Sequence, residues 1–209
     1  ITDSSITVLE GEQVEVTIPV LKLKEVPLKF EFSNVPAGYD PAELNASISP
    51  ATIRIAGAAD TVDGIESVNA GFINLARVQL GKAETLKIQL SEGLVNVDDV
   101  QEATVTFDTS GYGEPRAITV SDIRVVNAPS GVDVKVITES INNVTLVGEA
   151  EELAAISPSD VIAQVDASAQ NITVKGSGQQ QFSAQIIVTG TKTVFATGAY
   201  SVLCDITVK

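Results

Sequence analysis

Short runs in which apolar and polar residues take turns recur along this chain. Leu28 to Phe32, Thr85 to Leu90, Ala103 to Phe107, Ala117 to Thr119, Ile123 to Val126, Asp133 to Ile137, Phe182 to Val188 and Tyr200 to Val208 read as strands. Period two puts one row of side chains on a buried face and the next in solvent. Ile6 to Leu9 and Val14 to Leu23 read the same way, joined by Glu10-Gly11-Glu12, with Pro19 predicting an edge position or a bulge. Ile172 to Val174 runs into Lys175-Gly176-Ser177-Gly178, which predicts a hairpin tip.

One stretch breaks this rhythm. Val144 to Val147 is rich in β-formers and stops at Gly148, where the chain can turn without a Cβ clash. Glu149, Glu151 and Glu152 then fall where a helix N-terminus favours negative charge. Leu153 and Ile156 lie three apart, on one helical face, and Ser157-Pro158 ends the turn. From Val161 the period returns to two, with Val161, Ala163 and Val165 on one face. The connection from the Val144 strand to the Val161 strand is long enough for a crossover between parallel neighbours.

The stretch has a twin. Gly57 precedes Gly148 by 91 residues, and Ala59, Asp60, Val62 and Ile65 match Ala150, Glu151, Leu153 and Ile156 at the same offset. Asn74 faces Asp166 at an offset of 92. Upstream, Asn34-Val-Pro36-Ala-Gly38-Tyr-Asp40 parallels Asn127-Ala-Pro129-Ser-Gly131-Val-Asp133 at an offset of 93. A copy of that length is domain-sized, unlike a solenoid unit. The expected architecture is mainly β: two tandem small β-rich domains, each with one short helix. Domain 1 is expected over 1–110, a linker rich in Gly and closed by Pro over 111–115, and domain 2 over 116–209.

Composition narrows the chemistry. Trp is absent and Phe and Tyr are few, so Val, Ile, Leu and Ala must build the cores. Met is absent even at position 1, which predicts a processed product or a piece of a longer chain. No 18-residue apolar run exists. The net charge of −14 disfavours nucleic acid and anionic membrane faces as partners. Without histidine there is no Ser-His-Asp or Cys-His catalysis and no His-based zinc site. Asp60, Asp63, Asp98, Asp99 and the three glutamates read as solvated surface or helix capping, because no Asp-x-Asp-x-Asp-Gly loop is present. Cys204 shares parity with Tyr200, Val202, Ile206 and Val208 and reads as an inert core thiol. Three Asn-x-Ser/Thr triplets, at Asn45, Asn143 and Asn171, are discounted as chance matches. The expectation is no enzyme, no cofactor, and no catalytic or metal-binding residue.

A strand ending in Gly, Glu-rich residues, Leu153-x-x-Ile156 and Val161-x-Ala163-x-Val165-Asp166 resemble the YbbR domain family. The resemblance is closest over Val144 to Ser168, with Gly198-x-Tyr200 before the last strand; the first copy is looser, with Asn74 in place of Asp. It implies tandem domains on the outside of a Gram-positive cell, behind an N-terminal membrane anchor that this chain lacks. It also implies no catalysis, and protein contacts that modulate cyclic di-AMP synthesis by a membrane diadenylate cyclase. Other membrane or wall proteins are alternative partners. Gly57, Ile65, Asn74, Gly148, Leu153, Ile156 and Asp166 are expected to be fold determinants. A second reading is a cell-surface adhesin or wall-associated spacer; a pocket lined by Tyr39, Tyr112 or Tyr200 with polar neighbours would favour it.

Overall fold

The protein is seen in a computed structural model that describes residues 20–173 and 176–208. The strand expected at Ile6 to Leu9, the first part of Val14 to Leu23 with Pro19, and Val174-Lys175 lie outside those residues. The fold is mainly β, with two short α-helices among the described residues.

The first half comprises β1 (Lys22–Ser33), β2 (Ala46–Ser49), β3 (Thr52–Gly57), α1 (Ala59–Asp63), β4 (Val68–Asn74), β5 (Glu84–Lys87), β6 (Val95–Asn96) and β7 (Glu102–Phe107). The second comprises β8 (Arg116–Val120), β9 (Asp122–Val126), β10 (Val132–Val136), β11 (Ile141–Gly148), α2 (Ala150–Ala155), β12 (Val161–Asp166), β13 (Ser177–Val188), β14 (Val194–Thr197) and β15 (Tyr200–Val208). The sheets run β4-β1-β3-β6 and β2-β7-β5 in the first half, and β14-β11-β8 and β10-β15-β13-β12-β9 in the second.

The two halves repeat one pairing scheme. β1 pairs antiparallel with β3 over Lys22 to Pro27 and then parallel with β4 over Leu28 to Ser33. β8 pairs antiparallel with β11, and β9 pairs parallel with β12. One continuous strand thus does in the first half what two do in the second. Two strands, one ending at Leu23 and one over Leu28 to Phe32, were expected where β1 is one. Pro27 sits where β1 changes partners, a place where the missing N–H is tolerated. Ser33 opposite Asn74 has its counterpart in Val126 opposite Asp166.

Several local expectations change. The Val144 and Val161 strands are not parallel neighbours, because β11 and β12 belong to different sheets. The parallel partner of β12 is β9, and α2 carries the chain from one sheet to the other. Asp63, read as solvated surface or a helix cap, is the last residue of α1. The strand expected over Thr85 to Leu90 spans only Glu84–Lys87, and Ile172 and Thr173 lie outside strands, with β13 beginning at Ser177. Cys204, Val202 and Ile206 are buried as their parity predicts, whereas Val208 at the strand end is exposed. The match of Asp40 to Asp133 also fails. β2 begins eight residues after Gly38, while β10 begins directly after Gly131. The longer loop lets Asp40 cap a 3-10 turn at Pro41–Glu43, and Asp133 lies within a strand.

Candidate functional site: the joint between the halves

The residues singled out in the sequence sit around the two short helices and the turns after β4 and β12. Gly57 and Gly148 end β3 and β11. A Cβ on Gly148 would lie 2.4 Å from the Thr193 carbonyl oxygen and 2.7 Å from Val194 Cα. A Cβ on Gly57 would meet the Gly93 carbonyl oxygen at 3.0 Å and Leu94 Cδ2 at 2.9 Å. Both glycines therefore admit the backbone that leads into the neighbouring strand, β14 or β6. Leu153 and Ile156 are buried beneath α2, and Ile65 is half-buried beyond α1. Asn74 Oδ1 accepts the Ala76 N–H at 3.0 Å, and Asp166 Oδ1 accepts the Ser168 N–H at 3.0 Å. This is one Asx turn in two copies, which needs only a side-chain acceptor, so Asn serves as well as Asp. Asp166 also accepts from Asn127 Nδ2, and its donors hold its carboxyl below the usual carboxylate range, the Ser168 hydroxyl first.

A basic residue at each helix end escaped the sequence reading. Arg116 Nη1 donates to the carbonyls of Leu153 and Ile156 at 3.1 and 2.7 Å. Lys24 Nζ donates to the carbonyls of Val62, Asp63 and Ile65. Both satisfy orphan carbonyls where the helix dipole is negative. Lys24 and Arg116 are 92 apart, so extending the repeat alignment upstream would have found them. Arg116→Met is expected to cost about 1–2 kcal/mol of stability, because it strips both carbonyls of their donor. A urea titration followed by circular dichroism checks this.

The acidic residues are also more engaged than expected. Glu152 accepts from the Thr191 and Thr193 hydroxyls, pinning the loop before β14, and these donors hold its carboxyl below the ordinary range. Asp98 is not merely solvated. It accepts from Arg54 Nε and from the Arg54 backbone N–H, each at 2.7 Å. Gly111 to Gly113, in the expected linker, bonds to the start of α2 through Ala150 N–H to the Gly111 carbonyl and Gly113 N–H to the Gly148 carbonyl. A Cβ on Gly113 would lie 3.2 Å from Ala150 Cα, so glycine there serves close approach.

The halves meet in an apolar joint. Tyr39, Leu44, Ile73, Leu75, Val78 and Val105 of the first half cluster with Val147 and Phe195 of the second. The Tyr39 and Phe195 rings lie 4.3 Å apart, tilted by 47°. Gly198 N–H donates to the Ala76 carbonyl and Asp40 N–H to the Lys192 carbonyl across the joint. The loop that is longer in the first half, with Tyr39 and Leu44, supplies much of this contact.

Tyr39 and Tyr112 adjoin within the joint, and neither buried hydroxyl makes a hydrogen bond of ordinary geometry. Burial, and after it the neighbouring Tyr112 phenol, holds the Tyr39 hydroxyl far above its usual 10.0. Tyr39→Phe is therefore expected to leave stability unchanged or raise it by up to about 1 kcal/mol, since it removes an unpaired buried group. The folded state keeps this proton when the unfolded chain loses it. Stability is therefore independent of this group below pH 10 and falls as pH rises further, by at most about 1.4 kcal/mol per unit. Urea midpoints measured from pH 8 to 11 should decline in the parent and decline less in Tyr39→Phe.

Beside the joint lies a cleft of about 520 Å³ between the halves. Asn34, Asn74 and Arg77 line it from the first half, with Gln164, Asp166 and Tyr200 among those from the second. The Tyr200 hydroxyl is committed to structure, donating to the Thr197 carbonyl at 2.6 Å and accepting from Thr145 N–H at 2.9 Å. A Cβ on Gly198 would fall 2.8 Å from that hydroxyl, which explains the Gly-x-Tyr spacing. Among the described residues no group of three or more acidic, Cys or His side chains is placed to hold a metal ion. No helix among them is long and apolar enough to cross a membrane.

The family model described as YbbR-like protein matches residues 26–120. This is most of the first half, the segment after it and β8, although the residue pattern looked closer to the family in the second half. No curated protein matches the chain. The solution structure of SuR18C from Streptococcus thermophilus is 20% identical, with a TM-score of 0.34, covering 44% of this chain and 89% of that one. The crystal structure of a YbbR-like protein from Streptococcus pneumoniae is 18% identical, with a TM-score of 0.32, covering 95% of this chain and 99% of that one. Residues 26–120 are therefore similar to a YbbR-like domain.

Proposed function

We propose that the protein is an extracytoplasmic interaction module that regulates a membrane diadenylate cyclase, and hence cyclic di-AMP synthesis, from the outer surface of a Gram-positive cell. The YbbR-like match is the observation that carries this reading. It acts through protein contacts, with the apolar joint holding the two halves in one orientation towards a partner. The test is a pull-down of the purified chain with the cyclase membrane segment, alongside a regulator that binds it. Binding of both is expected. Binding of the regulator alone overturns the proposal.

A second reading, as a wall-associated adhesin or spacer, is favoured by the cleft. Its walls carry neutral amides of Asn34, Asn74 and Gln164 next to Tyr200. Such groups pair with sugar hydroxyls in both donor and acceptor senses. Calorimetric titration with soluble cell-wall glycan fragments distinguishes the two: heat of binding lost in Gln164→Ala supports adhesion, and no heat at millimolar glycan removes it.

A further inference from the structure

The chain has four arginines, and in three of them the guanidinium is taken up by acceptors. Arg54 donates to Asp98, Arg116 to the carbonyls of Leu153 and Ile156, and Arg124 to both carboxylate oxygens of Asp122. The guanidinium of Arg77 makes no hydrogen bond or ion pair among the described residues. Its backbone N–H closes the turn after β4, donating to the Asn74 carbonyl at 3.0 Å. In a chain with 27 acidic residues against 13 basic ones, an arginine without an anion calls for a reason.

Arg77 lines the cleft of about 520 Å³ between the halves. That volume falls within the range for small-molecule sites, about 300–1,000 Å³. Asp166 is the one other charged residue on the walls, and it is already satisfied. Its Oδ1 accepts from the Ser168 N–H and hydroxyl, and its Oδ2 from Asn127 Nδ2. The other polar walls are neutral. The side-chain amides of Asn34, Gln164 and Gln185 make no hydrogen bond among the described residues, and the bond of Asn74 leaves its Nδ2 over. Uncommitted amides from both halves thus share one cleft with a single uncommitted guanidinium.

We infer that the cleft takes a sugar bearing a carboxylate, and that Arg77 is the residue that selects for the acid. The inference rests on the adhesin reading of this cleft and names the group by which its ligand is told from other glycans. A guanidinium offers two parallel N–H donors that match the two oxygens of a carboxylate. The amides both donate and accept, as ring hydroxyls and N-acetyl groups require. A dianionic phosphate fits less well, because one arginine sharing its cleft with the Asp166 carboxylate does not offset two charges. Since the walls come from both halves, an occupant bridges them and stabilises the joint by mass action.

Isothermal titration calorimetry of the whole chain tests this with two disaccharides of similar size. N-acetylglucosaminyl-N-acetylmuramic acid carries a lactyl carboxylate, and N,N′-diacetylchitobiose is its counterpart without one. The acid is expected to bind at least about ten-fold more tightly, the effect of one charge-assisted pair. Arg77→Gln should bring the two within about two-fold of each other by weakening the acid alone. Arg77 is exposed, so the urea midpoint of the variant should equal that of the parent, which separates lost recognition from lost folding. Equal affinities in the parent overturn the inference and leave the adhesin reading standing. An unchanged preference in Arg77→Gln overturns it as well, because another group then reads the acid. N-acetyl-alanyl-alanine supplies a carboxylate without a sugar, and tighter binding of that peptide than of the acidic disaccharide overturns the sugar assignment. No heat from any of these probes at millimolar concentration removes the adhesin reading together with this one.

Discussion

Gly148→Ala is expected to destabilise the second half by about 3 kcal/mol, at the upper end of overpacking costs. The added Cβ would press on the Thr193 carbonyl oxygen at 2.4 Å and on Val194 Cα at 2.7 Å, and backbone atoms within a paired strand cannot step aside cheaply. β14 would have to leave β11 at that point, which also loosens the loop that Glu152 pins. Gly57→Ala at the equivalent position is expected to cost only about 1 kcal/mol. There one close atom is Leu94 Cδ2, the tip of a side chain that can change rotamer, and the carbonyl lies further off, at 3.0 Å. Urea denaturation of the two variants, with midpoint and slope fitted for each, checks the order. Equal losses would show that the strand pairs at Gly57 and Gly148 are equally stiff, and would refute this account.

Phe195→Ala is expected to cost about 3–4 kcal/mol, within the range for truncating a buried aromatic side chain. Its larger effect should be on cooperativity. Phe195 is one of two second-half side chains in the buried cluster of the joint, and its ring stacks at 4.3 Å on Tyr39. Its loss leaves a cavity between bodies that share few other contacts, so each half should unfold at its own temperature. Differential scanning calorimetry should show one transition in the parent and two in the variant. A single transition in Phe195→Ala would mean that the backbone bonds across the joint, Gly198 to Ala76 and Asp40 to Lys192, are enough to couple the halves.

The joint shows how one unit reads another: an aromatic loop over a strand pair whose glycine lets a neighbouring backbone approach.

Much of the architecture could be read from the amino acids alone. Period-two runs marked most strands, and Gly57 and Gly148 marked the places where one strand ends against another. Asn34 and Asn127 take positive φ, as do Gly38 and Gly131, so the Asn-x-Pro-x-Gly turns were legible from the backbone preferences of those residue types. The Asx turn at Asn74 and Asp166 was legible as a matched pair. All of these depend on interactions within a few residues, which a local pattern encodes directly.

What the chain order left open was the choice of partners. Whether β12 lies beside β11 or β9 depends on which sheet closes over which core, and both arrangements satisfy the same alternation of Val161, Ala163 and Val165. The caps from Lys24 and Arg116 reach carbonyls about 40 residues away, so nothing beside them in the sequence announces them. Tyr39 looked like one half of a match to Val132, and only the folded chain lifts it out on a longer loop and sets it against Phe195. Local geometry determines strands and turns because their hydrogen bonds and φ/ψ preferences are short-ranged. The joint is decided by the tertiary structure, because the area it buries exists only once both halves have formed.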